Sequence, residues 1–318
     1  MAEIESSATE RALEEMGERS TILSGQDAMD AMVNAIGEQI TLSQEELPAG
    51  EITLSADEER LLQQVLEDAH QEIPVNSATI EEDDSTSRFS GAVWYSAIQD
   101  KMITLAGLGG IGSYVGFLLS RMHPRHIYMY DDDIVEEANM SGQLYSSLDV
   151  NENKVSALGG MMSNYSGYHT TTEFNDKFGE YSQATDIMIC GFDNMEARKT
   201  FFKAWKEHVG MMTTDEGRKK CLFIDGRLAA EEFQILCITG DNVEAMIRYE
   251  RDFLFSDAQA DATICSYKQT TFCANMIASY MVNSFVNFVA NSCNPLMPRS
   301  VPFYTYYNAE TMYLKIEE

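Results

Sequence analysis

The stretch Met102 to Gln143, MITLAGLGGIGSYVGFLLSRMHPRHIYMYDDDIVEEANMSGQ, decides how the chain is read. A short apolar run, Met102 to Leu105, runs into Gly107-Leu108-Gly109-Gly110-Ile111-Gly112, and apolar positions then recur at helical spacing as far as Met122. The order is strand, glycine loop, helix, which is the layout of a nucleotide-binding turn. Gly107 lets the chain bend sharply, Gly109 lets the backbone approach a phosphate, and Gly112 lets helix and strand pack closely. Free N–H groups at the positive end of the helix would then face an anion. A second apolar run, His126 to Tyr130, delivers Asp131 nineteen residues after Gly112, where an acidic side chain accepts hydrogen bonds from a ribose. The expected ligand is an adenosine nucleotide.

Working outward, the formal charge of −29 is unevenly spread over the 318 residues. Residues 1–87 carry 22 Asp and Glu against 3 Lys and Arg, a net of −19, which leaves −10 for the rest. Such a surface argues against nucleic acid and anionic membrane as partners and favours a basic protein surface. Residues 1–86 hold no Trp, Tyr, Phe or Cys and can build little core, so 1–87 is expected to be an acidic N-terminal arm and linker. Two pieces, 26–40 and 56–71, could be helical, and 74–87 reads as linker. The folded domain is expected over 88–318, from Arg88-Phe89-Ser90-Gly91 onward. Six cysteines without a CxxC pair, and an N-terminus without a signal peptide's basic cap and apolar core, fit a reduced cytoplasmic setting. The most apolar segment, 274–293, carries Asn275, Ser279, Asn283, Asn287 and Asn291 as one polar stripe, so it reads as a core helix rather than a membrane span.

Further along, the pattern predicts a helix from about Asn151 with Lys154 in its first turn and a third strand over 168–174. The continuous apolar run 186–190 reads as a fourth strand buried on both faces of a parallel sheet. It ends at Gly191-Phe192-Asp193-Asn194, which places Asp193 at a strand tip where open α/β sheets hold ligands. A helix over 195–208 follows, then strands at 221–225 and 233–238 joined by a turn at Gly226-Arg227. An irregular polar loop over 249–263 should cross near the site, and a helix over 270–291 and a strand pair at 303–307 and 311–316 close the domain. The fold class is α/β: a Rossmann-like mixed sheet with a parallel nucleotide-binding half, an antiparallel extension and helices on both faces.

Five elements in order resemble the ThiF/MoeB and ubiquitin-activating-enzyme superfamily. They are Gly107 to Gly112; Asp131-Asp132-Asp133-Ile134-Val135; Asn139-Met140-Ser141-Gly142-Gln143; Lys154; and Asp193-Asn194-Met195-Glu196-Ala197-Arg198. The resemblance covers roughly 88–290. It implies an ATP-dependent adenylyltransferase that activates the C-terminal carboxylate of a small ubiquitin-like or sulfur-carrier-like protein or peptide, with ATP and Mg²⁺ as cofactors and a homodimer as the working unit. It further implies that Asp131 holds the ribose, that Lys154 and Asn139 meet the phosphates with Gln143 helping to position them, and that Asp193 binds Mg²⁺. Arg88 matches an arginine that reaches into the neighbouring subunit's site. Cys265 lies near where some relatives keep a catalytic thiol, and Lys268 nearby would favour a thiolate; an inert, partly buried cysteine is the plainer reading.

One departure stands out, because the arginine that precedes the glutamine in the family pattern is Gly142 here. With that cation missing, catalysis would be weaker, differently arranged or lost. The lack of a CxxC pair argues against the structural zinc of some relatives. The glycine loop and Asp131 alone would equally allow an NAD-dependent oxidoreductase, and loss of the arginine would allow a nucleotide-binding scaffold. Lys154 and Asp193 favour adenylation, since hydride transfer needs no Mg²⁺ carboxylate at the fourth strand.

Overall fold

The computed structural model describes residues 86, 88–256 and 269–318. Eight strands form one sheet in the order β3-β2-β1-β4-β5-β6-β7-β8. These are β1 Met102–Ala106, β2 His126–Tyr130, β3 Thr171–Phe174, β4 Ile187–Cys190, β5 Leu222–Ala229, β6 Glu232–Thr239, β7 Tyr304–Asn308 and β8 Tyr313–Glu317. The first five pair in parallel and the remainder antiparallel, which is the mixed sheet expected. The helices are α1 Tyr95–Gln99, α2 Gly110–Ser120, α3 Lys154–Ser166, α4 Met195–Gly210, α5 Asp215–Arg218, α6 Val243–Arg248 and α7 Thr271–Cys293. From β1 the sheet grows toward β2 on one side and β4 on the other, so the glycine loop after β1 stands at the switch point where such sheets open a ligand crevice.

Strand alternation explains why the central strands read as unbroken apolar runs. Ile187 and Ile189 of β4 and Leu222 and Ile224 of β5 join Ile111, Val115, Leu158, Ile277 and Phe285 under α2, α3 and α7. Met188, Cys190 and Phe223 point the other way and pack with Phe201, Phe202 and Trp205 of α4 and with Met246 and Tyr249. Both faces of the central strands are covered, so Ile103 to Ala106, Ile187 to Cys190 and Leu222 to Gly226 are buried at every position. Burying each of these large side chains is worth about 1.5–3 kcal/mol.

Several boundaries differ from the sequence reading. Gly226-Arg227 is not a turn: β5 continues through both, and the reversal falls at Ala230, which has φ +54°. Glycine is needed at 226 for packing, because a methyl there would sit 2.5 Å from the Met281 sulfur of α7. The third strand starts three residues late, since Gly167 (φ +64°) and Tyr168 still cap α3, their N–H groups donating to Ser163 and Met162 carbonyls. The segment from 249 does not open as an irregular loop: Tyr249–Phe253 forms a π-helical turn with Tyr249 fully buried. Residues 257–263 of that expected loop lie outside the described residues, as do the possible helices 26–40 and 56–71. Of the expected linker 74–87 only Thr86 is described; it is buried, and its carbonyl accepts from the Phe89 and Ser90 amides.

Among the described helices, α7 is long and apolar enough to cross a membrane. Its apolar face is instead spent on the core through Ile277, Met281 and Phe285. The polar stripe turns outward, where Asn287 donates to the Ser300 carbonyl and Asn291 to the Arg299 carbonyl, each at 2.9 Å.

Candidate active site

The loop between β1 and α2 is built on contacts that exclude side chains. Gly107 has φ +76°, and a methyl there would lie 3.0 Å from the backbone of Gly191 and Phe192, so the tips of β1 and β4 nearly touch. A methyl on Gly112 would sit 2.1 Å from the Gly107 carbonyl oxygen, a backbone atom that cannot step aside. Gly109 is the residue before α2, and the first N–H groups of that eleven-residue helix open toward the crevice.

Asp131, one residue past β2, closes the loop from the other side. Its Oδ2 accepts from the Leu108 amide at 2.6 Å and its Oδ1 from the Asp133 amide at 2.9 Å. Burial pushes this carboxyl above its ordinary range, against the pull of Lys154 and the two amides. Each oxygen keeps a lone pair, so a ribose hydroxyl could still donate to it. Lys154, the first residue of α3, is buried with its Nζ 2.7 Å from Asp133 Oδ2 and 4.0 Å from Asp131 Oδ1. The lysine thus sits between Asp131 and Asp133, held by two acids.

The turn at Glu137–Ser141 carries the next expected residues. Asn139 closes a capping box, its Oδ1 accepting from the Glu136 amide at 2.9 Å, so its Nδ2 is the end that could face a phosphate. Gln143 extends over the glycine loop: its Nε2 lies 3.9 Å from where a Gly109 methyl would be, and its Oε1 is buried without a partner. Asp193 stands exposed beyond β4, with Oδ1 accepting from the Asn194 side chain at 3.1 Å. Asn194 caps α4 through the Ala197 amide at 2.8 Å and so fixes the Asp193 backbone at the strand tip. A single exposed carboxylate suits Mg²⁺, which keeps several waters and takes its other ligands from substrate phosphates. Among the described residues, the group of side chains close enough to share a metal ion without phosphates is Asp186, His208 and Cys221. It lies at the other end of the central strands, where β4 and β5 begin, and there His208 already pairs with Asp186 at 2.8 Å.

Glycine loop, Asp131, Lys154, Gln143 and Asp193 therefore converge on one crevice. Arg88 does not join them within the chain; it is exposed in the turn before α1, beside the stacked rings of Phe89 and Trp94. Cys265 lies outside the described residues. Of the described cysteines, Cys293 is exposed and Cys190, Cys221, Cys237 and Cys273 are buried.

Sequence reasoning missed the buried charge cluster beneath the crevice. Asp225, at the end of the parallel part of β5, meets Arg198 at 3.0 Å, Arg227 at 2.8 Å and the Tyr249 hydroxyl at 2.9 Å. Burial alone would raise its carboxyl, but Arg198 and Arg227 outweigh burial and hold it below the ordinary range. Arg198 also donates to the Phe192 carbonyl, tying the cluster to the residue before Asp193. The signal was present in the Asp-Asn-x-x-x-Arg spacing, which puts Arg198 one turn into α4, but the partner Asp225 is distant in sequence. Gln269 was missed as well: its amide fills the space beside Gly110 and Gly142.

The comparisons with known proteins agree with this geometry. A family model described as ThiF family matches residues 83–317. Ubiquitin-like modifier-activating enzyme 5 of Drosophila virilis is 29% identical over 131 residues, covering 36% of this chain and 33% of that protein. The Bombyx mori protein of the same name is 26% identical over 129 residues, again 36% and 33%. The match thus spans about a third of the length of these relatives. Among solved structures, PaaA aligns with a TM-score of 0.55 at 16% identity, over 97% of this chain and 86% of that one. MccB of E. coli solved with ATP aligns at 0.52 and 13% identity, over 84% and 80%. Five motif elements in one crevice and a family match across most of the chain lead to the same place: the chain belongs to the ThiF family.

Proposed function

We propose that the protein is an ATP-dependent adenylyltransferase that activates the C-terminal carboxylate of a small ubiquitin-like or carrier protein, or of a peptide, as an acyl-adenylate. The observation that carries this reading is the placing of Lys154 against Asp131 on one side of the glycine loop and Asp193 on the other. A polyphosphate lying across the α2 N-terminus would run from a ribose-binding acid past a cation to a metal-binding acid. The relatives bear on the substrate class by name: they are ubiquitin-like modifier-activating enzymes, and MccB has been solved with MccA and a nucleotide analogue.

In the reaction so proposed, a carboxylate oxygen attacks the α-phosphorus, and the bond from that phosphorus to the bridging oxygen breaks. The electron pair leaves with pyrophosphate, and no proton need move. Two anions must be brought together, so the chain's task is to orient them and spread their charge. The helix N–H groups and Lys154 meet the phosphates, Gln143 covers the loop, and Asp131 anchors the ribose. Asp193 would hold Mg²⁺, which supplies further charge neutralisation when bound. Arg88 would enter the site from a second copy of the chain, making a homodimer the active unit.

Calorimetry with ATP and with NAD tests the reading, followed by pyrophosphate exchange with a candidate carboxylate substrate. ATP should bind in a magnesium-dependent way and far more tightly than NAD; the reverse preference would overturn the proposal in favour of hydride transfer. A scaffold without chemistry is the second reading, favoured by Gly142 alone, and it would bind ATP without any exchange.

A further inference from the structure

We infer that Gln269 is a phosphate-contacting residue of the nucleotide site, its amide taking the room beside the glycine loop that Gly142 leaves open. The inference rests on the ATP reading above and deepens it. Gln269 is held from both ends. Its backbone forms an isolated parallel bridge with Ala230, just past β5, and two residues on, Thr271 Oγ1 donates to the Ser141 carbonyl at 2.5 Å. The start of α7 is thereby docked on the turn that carries Asn139 and Gly142.

From that fixed point the side chain reaches into a slot made by two glycines. A methyl on Gly110 would lie 2.0 Å from Gln269 Oε1, and a methyl on Gly142 would lie 2.7 Å from Gln269 Nε2. Neither glycine is required by a left-handed backbone, since among the described glycines only Gly107 and Gly167 have positive φ. What forbids a side chain at 110 and 142 is the glutamine amide. Gly110 is the first residue of α2, so the carbonyl end of the amide lies beside the first turn of that helix, whose positive end would attract a phosphate. Turning the amide over puts its NH₂, with two donors, toward an arriving phosphate. Gln143, with its buried and unpartnered Oε1, flanks the loop on the Gly109 side. The loop is therefore roofed by two neutral amides, where the sequence pattern led one to expect a cation at 142.

The test uses the full chain and calorimetric titration with ATP plus magnesium and, separately, with adenosine. Replacement Gln269→Ala should weaken ATP about tenfold, the worth of one hydrogen bond to a charged group, and leave adenosine unchanged. Gly142→Ala evicts the same amide without touching the nucleotide, so it should cost as much, and the double variant no more than either single one. Gln269→Arg should bind ATP at least as tightly as the unaltered chain. The clash at 142 is with the Gln269 side chain from Cγ outward and with no backbone atom, so a change of rotamer relieves it; if Gly142→Ala nevertheless fails to fold, the two Gln269 variants decide alone. Unchanged ATP affinity in Gln269→Ala, an equal loss for adenosine, additive losses, or tighter ATP binding would each overturn the inference. Failure of the unaltered chain to bind ATP would overturn the ATP reading itself, and this inference with it.

Discussion

Arg198 Nη1 lies 3.0 Å from Asp225 Oδ1, with the arginine side chain 6% exposed and the aspartate side chain fully buried. A charge pair in that position is held by mutual need. Without Asp225, Arg198 would be a buried charge with no carboxylate beside it, and without Arg198 one Asp225 oxygen would lose its cation while Arg227 and Tyr249 hold the other. The same arginine holds the Phe192 and Gly226 carbonyls, so the pair also sets the backbone from which Asp193 projects.

Asp225→Asn and Arg198→Met should therefore each destabilise the protein by about 3–5 kcal/mol, a fall in melting temperature of about 6–20 °C for a domain of this size. The double variant should lose less than the sum of the two. In acid, Asp225 gives the opposite trend to Asp131. Its carboxyl is held low, so its contribution is present above the ordinary value of 3.8 and disappears only as pH falls through the lowered value. Thermal melts of the four proteins across pH would show both effects.

Asp131 is kept charged at a cost. Its carboxyl is raised by burial, so the penalty is absent below 3.8, grows as pH rises, and is complete above the raised value. Asp131→Asn should remove that penalty at neutral pH while its Oδ1 still accepts one of the two backbone amides. The expected outcome is a melting temperature equal to or above that of the unaltered chain at pH 7, together with a loss of ATP affinity. A variant that lost stability and kept ATP would contradict the ribose role.

Gly112 and Gly142 differ in what crowds them. At 112 the obstacle is the Gly107 carbonyl, part of the loop itself; at 142 it is the Gln269 side chain from Cγ outward, which can change rotamer. Gly112→Ala should cost about 1–3 kcal/mol as an overpacked site and abolish nucleotide binding. Gly142→Ala should leave the melting temperature within a degree or two. Melting curves of the pair, measured side by side, check the contrast.

The parts of this fold that could be read from sequence were those fixed by neighbours along the chain. The strand-loop-helix around Gly107 to Gly112 and the runs at 126–130 and 187–190 declare themselves through local periodicity. The site pieces that depend on partners far apart were not legible. Asp225 looked like the end of an apolar strand, and its meaning comes from Arg198 and Tyr249. Gly226 looked like a turn because glycine signals both turns and close packing, and only the approach of Met281 separates the two. Gln269 gave no signal at all, since its role depends on a docking of α7 against the 137–141 turn that no periodicity records.

Arg88 carries the last prediction. Within one chain the crevice has Lys154 as its motif cation, already engaged by Asp133 at 2.7 Å, while Gln143 and Gln269 are neutral. ATP brings about four negative charges, and Mg²⁺ offsets two of them, so further positive charge has to be supplied. Arg88 is exposed, and the turn that carries it displays an unusual apolar surface for a polar chain: Val93 is 70% exposed, next to the Phe89–Trp94 stack. An apolar anchor beside an exposed arginine is the arrangement by which a two-fold interface delivers a finger to the partner's site. Arg88→Ala and Asp193→Ala should each abolish pyrophosphate exchange as pure proteins. Mixed in equal amounts and allowed to exchange subunits, they should recover about a quarter of the unaltered activity, because half of the dimers are hybrids and each hybrid has one site with both groups intact. Recovery that scales with the hybrid fraction would establish the crossed arrangement, whereas full activity in a dilute monomer, or none in the mixture, would place Arg88 outside the reaction.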